Sequence, residues 1–63
     1  MPLIEVHMLA GRTAEQKKAL CAAITQAVQE SIGAPVETIR VWIEEFAREE
    51  YMAAGVWHGD KKP

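Results

Sequence analysis

A chain of 63 residues, 49% apolar and 25% charged with a formal net charge of −2, holds material for one domain, residues 1–63. A chain this short buries only about 60% of its unfolded surface, so its core needs a disulfide, a metal or association to complete it. The single cysteine, Cys21, excludes an internal disulfide, and no Cys/His cluster has metal-ligand spacing, so a homo-oligomer with no metal and no cofactor is expected.

The near-neutral, slightly acidic balance leaves no footprint for nucleic acid or an anionic membrane; the basic cluster Lys61-Lys62 sits near the end of the chain. The chain reads as having neither a signal peptide nor an apolar run long enough to span a bilayer. A cytoplasmic protein is therefore expected, where a free thiol is stable.

Residues 2–9 read as a buried strand that begins at Pro2, a position where a ladder N–H is not required. Ile4, Val6 and Met8 fall on one face; Leu3, Glu5, His7 and Leu9 fall on the other, so both faces are expected to be at least partly covered. Ala10-Gly11-Arg12 is a turn. Thr13-Ala14-Glu15-Gln16 is a capping box, and a helical pattern runs from there to about Ile32. Leu20, Ala23, Ile24, Ala27, Val28 and Ile32 form its apolar stripe, while Lys17, Lys18, Gln26, Gln29 and Glu30 lie away from it. Gly33 suits the left-handed position that ends a helix, and Pro35 follows as a stop.

Glu37 to Phe46 is the second strand, with Ile39, Val41 and Ile43 on one face and Arg40, Trp42, Glu44 and Phe46 on the other. Two strands flanking one helix make a β-α-β unit of the α/β (α+β) class, with the strands parallel. Tyr51 to Trp57 predicts a short hairpin, or a strand that joins another subunit's sheet; His58 to Pro63 reads as a polar tail. Two strands and one helix leave strand edges open, which again invites pairing between chains.

In a parallel pair both strands start at one edge, so Pro2 and Arg40 belong together in one protomer. Arg12 follows the first strand, roughly 30 Å from Pro2 at about 3.3 Å per residue. If it serves a site at Pro2, it comes from a neighbouring chain.

The run Pro-Leu-Ile-Glu-Val-His-Met-Leu-Ala-Gly-Arg from Pro2 to Arg12, the following Thr-x-x-Gln-Lys, and Ala-Pro-x-x-x-x-Arg-Val through Arg40 together resemble the 4-oxalocrotonate tautomerase family. The similarity covers essentially the whole chain, and the joint spacing of Pro2, Gly11-Arg12 and Arg40 carries its specificity. The resemblance implies a tautomerase-like β-α-β protomer with a short C-terminal hairpin and a hexamer built as a trimer of dimers. It also implies an amino-terminal proline as base after Met1 is trimmed, Arg12 and Arg40 as substrate-binding arginines from more than one subunit, and a small carboxylate as substrate. Leu9 and Tyr51 join the arginines as substrate-binding candidates. Two departures touch the pocket mouth: Tyr51 stands where the best-known members have phenylalanine, and Met52-Ala53-Ala54-Gly55 holds a single glycine.

The residue types suit that chemistry. Moving a proton within an enol acid needs a base near neutral pKa; an α-amino group starts at about 8. Burial and nearby arginines both favour its neutral form. Arginine stays protonated and clamps carboxylates in two parallel bonds. Each residue alone has a plainer reading: Pro2 as structure, Arg40 as the ion-pair partner of Glu44, Arg12 as a solvated helix-start residue. Tyr51 serves equally as a pocket wall or an interface aromatic. Trp42 and Trp57 are assigned to packing between subunits and His7 to a paired or interfacial role. Cys21 is read as a packed small residue, and Glu44, Glu45, Glu49 and Glu50 as a solvated run. Two other functions compete: hydration or dehalogenation of unsaturated halo-acids, with Glu49 or Glu50 activating water, and a non-enzymatic binding oligomer if Met1 is retained, since Pro2 nitrogen is then an amide.

Overall fold

The computed structural model describes residues 1–59; the expected polar segment Asp60–Pro63 lies outside them. Strand β1 (Leu3–Leu9) is followed by helix α1 (Ala14–Ile32) and then by β2 (Arg40–Phe46), which pairs with β1 in parallel from Leu3↔Arg40 to Leu9↔Phe46. Pro2 has no N–H to give, yet its carbonyl accepts the Arg40 N–H at 3.1 Å, one step before the pairing begins. The ladder closes at its other end where the Ala10 N–H donates to the Phe46 carbonyl at 2.9 Å.

The capping box forms as expected. Thr13 Oγ1 accepts the Gln16 N–H at 3.1 Å and Gln16 Oε1 accepts the Thr13 N–H at 3.0 Å, which satisfies two donors the first helical turn would leave orphaned. Gly33 ends the helix at φ 69°, with its N–H on the Gln29 carbonyl. The face of α1 turned inward is narrower than the expected stripe: Leu20, Ile24 and Val28 are half-buried with Cys21 and Thr25 beside them, while Ala23, Ala27 and Ile32 are exposed. Ile32 overshoots its support, since nineteen helical residues run about 28 Å and a seven-residue strand about 23 Å.

The second strand begins later than Glu37. Val36–Thr38 form a 3-10 turn in which Thr38 N–H and Thr38 Oγ1 both donate to the Pro35 carbonyl, at 3.0 and 2.8 Å. These bonds tie the backbone down until Ile39, so sheet pairing starts at Arg40. A second 3-10 turn, Arg48–Glu50, leads into the expected hairpin of β3 (Met52–Ala53) and β4 (Val56–Trp57). Ala54 (φ 52°) and Gly55 (φ 78°) carry the left-handed backbone that a two-residue hairpin loop demands. His58 is not tail: its N–H donates to the Tyr51 carbonyl at 3.0 Å, extending the hairpin by one bond.

Helix α1 covers one face of the sheet, and Ile39 on that face is the only apolar residue classed as buried among the described residues. The opposite face, with Leu3, Glu5, His7, Trp42 and Glu44, is exposed within the protomer, because one helix cannot cover two faces. Leu3 keeps 57% and Trp42 42% of its surface open. No helix among the described residues is long and apolar enough to cross a membrane.

Candidate active site

The strand register divides the candidate residues between two ends of the sheet. At the starting edge, half-buried Pro2 precedes Leu3, whose cross-strand partner is Arg40. The Arg40 side chain turns back on the chain before its strand: Nη1 donates to the carbonyls of Glu37 at 2.7 Å and Ile39 at 3.3 Å. Glu44 is not its ion-pair partner; among the described residues Lys17 pairs with Glu45 at 3.2 Å, and His7 Nε2 lies 3.5 Å from Glu5 Oε1. A guanidinium has five N–H donors, so the bonds at Nη1 leave others for an anion.

At the far edge, Leu9 and Phe46 are paired, and with His7, Met8, Glu50 and Tyr51 they line an open groove of about 640 Å³. Tyr51 is held between two rings. Phe46 lies 5.3 Å away and His58 lies 4.9 Å away, edge-on at 69°. The turn before it fixes its backbone, with Tyr51 N–H on the Arg48 carbonyl at 3.1 Å. Leu9 also borders a second hollow of about 300 Å³, shared with Ala10, Gly11, Arg12 and Arg48. Arg12 reaches round to a third recess beside Gln16, Lys17 and Leu20.

A protomer thus joins Pro2 with Arg40, and separately Leu9 with Arg12 and Tyr51, but does not bring the two groups together. No cluster of His, Cys, Asp and Glu that could hold a metal occurs among the described residues. The plain sequence reading passed over Phe46, His58 and Arg48 as site neighbours. Phe46 carried a signal, being the partner of Leu9 once the strands are registered from Leu3 and Arg40.

Residues 2–61 match the tautomerase enzyme family. The chain belongs to that family. It is therefore an isomerase by family, and several similarities agree. It is 45% identical over 56 residues to the 2-hydroxymuconate tautomerase of Pseudomonas putida, covering 89% of each chain. The crystal structure of YwhB, a homologue of 4-oxalocrotonate tautomerase, superposes with a TM-score of 0.91 at 44% identity, covering 97% of this chain and 100% of that one. A heterohexamer 4-oxalocrotonate tautomerase from Chloroflexus aurantiacus gives the same TM-score of 0.91 at 27% identity, with 98% and 100% of the two chains covered. The tautomerase fold expected from the sequence, a β-α-β unit with parallel strands and a C-terminal hairpin, is the fold observed.

Proposed function

We propose that this tautomerase moves a proton within a small enol or 2-oxo carboxylic acid, with Pro2 nitrogen, freed by removal of Met1, as general base. Met1 is 80% exposed, which leaves it open to an aminopeptidase. The observation that carries the reading is the strand register. It sets Pro2 beside Arg40 at one edge and leaves Leu9, Arg12 and Tyr51 at the other, so a complete site draws on more than one protomer. Residues 1–63 act as one tautomerase-like domain in a homo-oligomer, a hexamer arranged as a trimer of dimers, whose contacts cover the open sheet face. The heterohexamer among its structural relatives supports that assembly. The half-buried thiol of Cys21 suits the reducing cytoplasm in which the proposal places the enzyme.

In this mechanism Pro2 nitrogen takes the enol proton. Arg40 stabilises the enolate charge that develops, and Pro2 returns the proton to a carbon of the same molecule as the oxygen becomes a carbonyl. Substrate and product are isomers, so no co-reactant is consumed. Arg12 of another subunit holds a carboxylate through its planar fork. Leu9 and Tyr51 form the apolar wall.

The test uses protein whose intact mass shows loss of Met1, assayed on 2-hydroxymuconate and phenylenolpyruvate. Pro2→Ala, which keeps a free amine but exchanges the ring-held secondary amine for a freely rotating primary one, lowers kcat by about a hundredfold, the cost of a misplaced base. Tyr51→Ala costs less. Equal losses from the two changes count against Pro2 as base.

One observation favours a second reading. Glu50 lines the groove beside Tyr51, where a carboxylate can activate water, whereas Glu49 does not line it. Its Oε1 is already engaged by the Ala47 N–H at 2.9 Å, which weakens that role. Hydrolysis of 3-chloroacrylate that is lost in Glu50→Gln, without enol tautomerisation, would replace the first reading with this one. A chain that retains Met1 has no basic nitrogen at Pro2 and is left with binding alone.

A further inference from the structure

The hollow at the far edge of the sheet is lined by Leu9, Ala10, Gly11, Arg12 and Arg48. Two guanidiniums border it and no acid does. Arg48 is half-buried, so its charge is held near the hollow instead of extended into water. Of the acids closest in sequence, Glu50 turns its Oε1 to the Ala47 N–H at 2.9 Å, and neither Glu49 nor Glu50 lines the hollow. Lys17 offers a contrast, since it borders the neighbouring recess but is balanced by Glu45 at 3.2 Å. Like charges around a concave, partly desolvated surface concentrate a positive field there. An anion relieves it.

The hollow adjoins the groove through Leu9, which lines both. The turn Arg48–Glu50 sets Arg48 and Tyr51 together, because the Arg48 carbonyl receives the Tyr51 N–H at 3.1 Å. A ligand running along the groove past Tyr51 therefore meets Arg48 beside Arg12.

We propose that Arg48 is a second anion-holding residue of the tautomerase site, acting with Arg12 on the carboxylate farthest from the reacting carbons and so selecting dicarboxylates over monocarboxylates. This rests on the function proposed above and adds a residue to it. Two arginines present up to ten N–H donors, enough to saturate one carboxylate from two sides.

The experiment compares kcat/KM for 2-hydroxymuconate, a dicarboxylate, with that for phenylenolpyruvate, a monocarboxylate, in wild type and Arg48→Ala of equal sedimentation. The ratio of the two falls at least tenfold in the variant, with the loss in KM for the dicarboxylate. A ratio that falls by less than tenfold overturns the proposal. Should Arg48→Ala fail to assemble, Arg48→Gln is read by the same criterion. Calorimetric titration with adipate, an unreactive diacid, uses no proton transfer and so separates this proposal from the role of Pro2. Wild type binds adipate at least tenfold more tightly than the Arg48 variant if the assignment holds; equal affinities, or no binding to wild type, end it even where Pro2 proves to be the base.

Discussion

Pro2 and Arg40 are the residues to which the proposal assigns the acid–base behaviour. On the proposed mechanism the working form of Pro2 is the neutral amine, so kcat/KM rises with pH through the pKa of the free enzyme's amine. A nearby guanidinium disfavours the protonated amine and lowers that pKa. Removing it does the reverse: Arg40→Gln moves the rising limb to higher pH in a kcat/KM profile, as well as weakening binding. A limb that stays in place would separate Arg40 from the amine. Ile39 answers to packing instead. It is 8% exposed, the most buried apolar side chain described, and Ile39→Ala costs about 2–4 kcal/mol of unfolding free energy, measured by denaturant titration at fixed protein concentration.

The elements differ in how much of their stability is local. Helix α1 begins with two reciprocal side-chain bonds, so Thr13→Ala removes a cap worth about 1 kcal/mol and lowers the thermal midpoint accordingly. The hairpin carries the opposite opportunity. Ala54 sits at φ 52°, a conformation costing a side-chain-bearing residue about 1–2 kcal/mol. Ala54→Asn makes the favoured Asn-Gly loop and raises stability by about 1 kcal/mol in the same titration.

These elements also show what a linear reading reaches. The helix was legible end to end because its signals, Thr13 with Gln16 and then Gly33, act within a few residues. The parallel strands and the placing of Pro2 and Arg40 at one edge followed from topology. The start of β2 did not, because Val36, Thr38 and Ile39 are β-branched and mimic strand composition while the Thr38 hydroxyl and the Pro35 carbonyl bind the segment into a turn. His58 and Arg48 were out of reach for another reason. Each acquires its neighbours only when the chain after β2 folds back, through the bonds His58 N–H to Tyr51 and Tyr51 N–H to Arg48.

At the scale of the whole molecule, the protomer is extended. Its radius of gyration is 14.7 Å, against about 10.6 Å for a compact chain of this length. One buried apolar side chain among the described residues and an open sheet face favour association, and in the proposed oligomer the thermal midpoint rises with protein concentration. Trp42, on the open face, is the residue to probe: Trp42→Glu places a charge where the oligomer contact is proposed, and sedimentation then shows smaller species and lost activity.

The division of the candidate residues between the two ends of β1 has a genetic consequence. Chains disabled at Pro2 and chains disabled at Arg12 would each be dead alone, yet co-expressed they would rescue one another. If every centre takes Pro2 from one chain and Arg12 from another, random equimolar mixing restores about a quarter of the centres, whereas a centre confined to one chain would restore none. Two silent alleles would then yield a working culture.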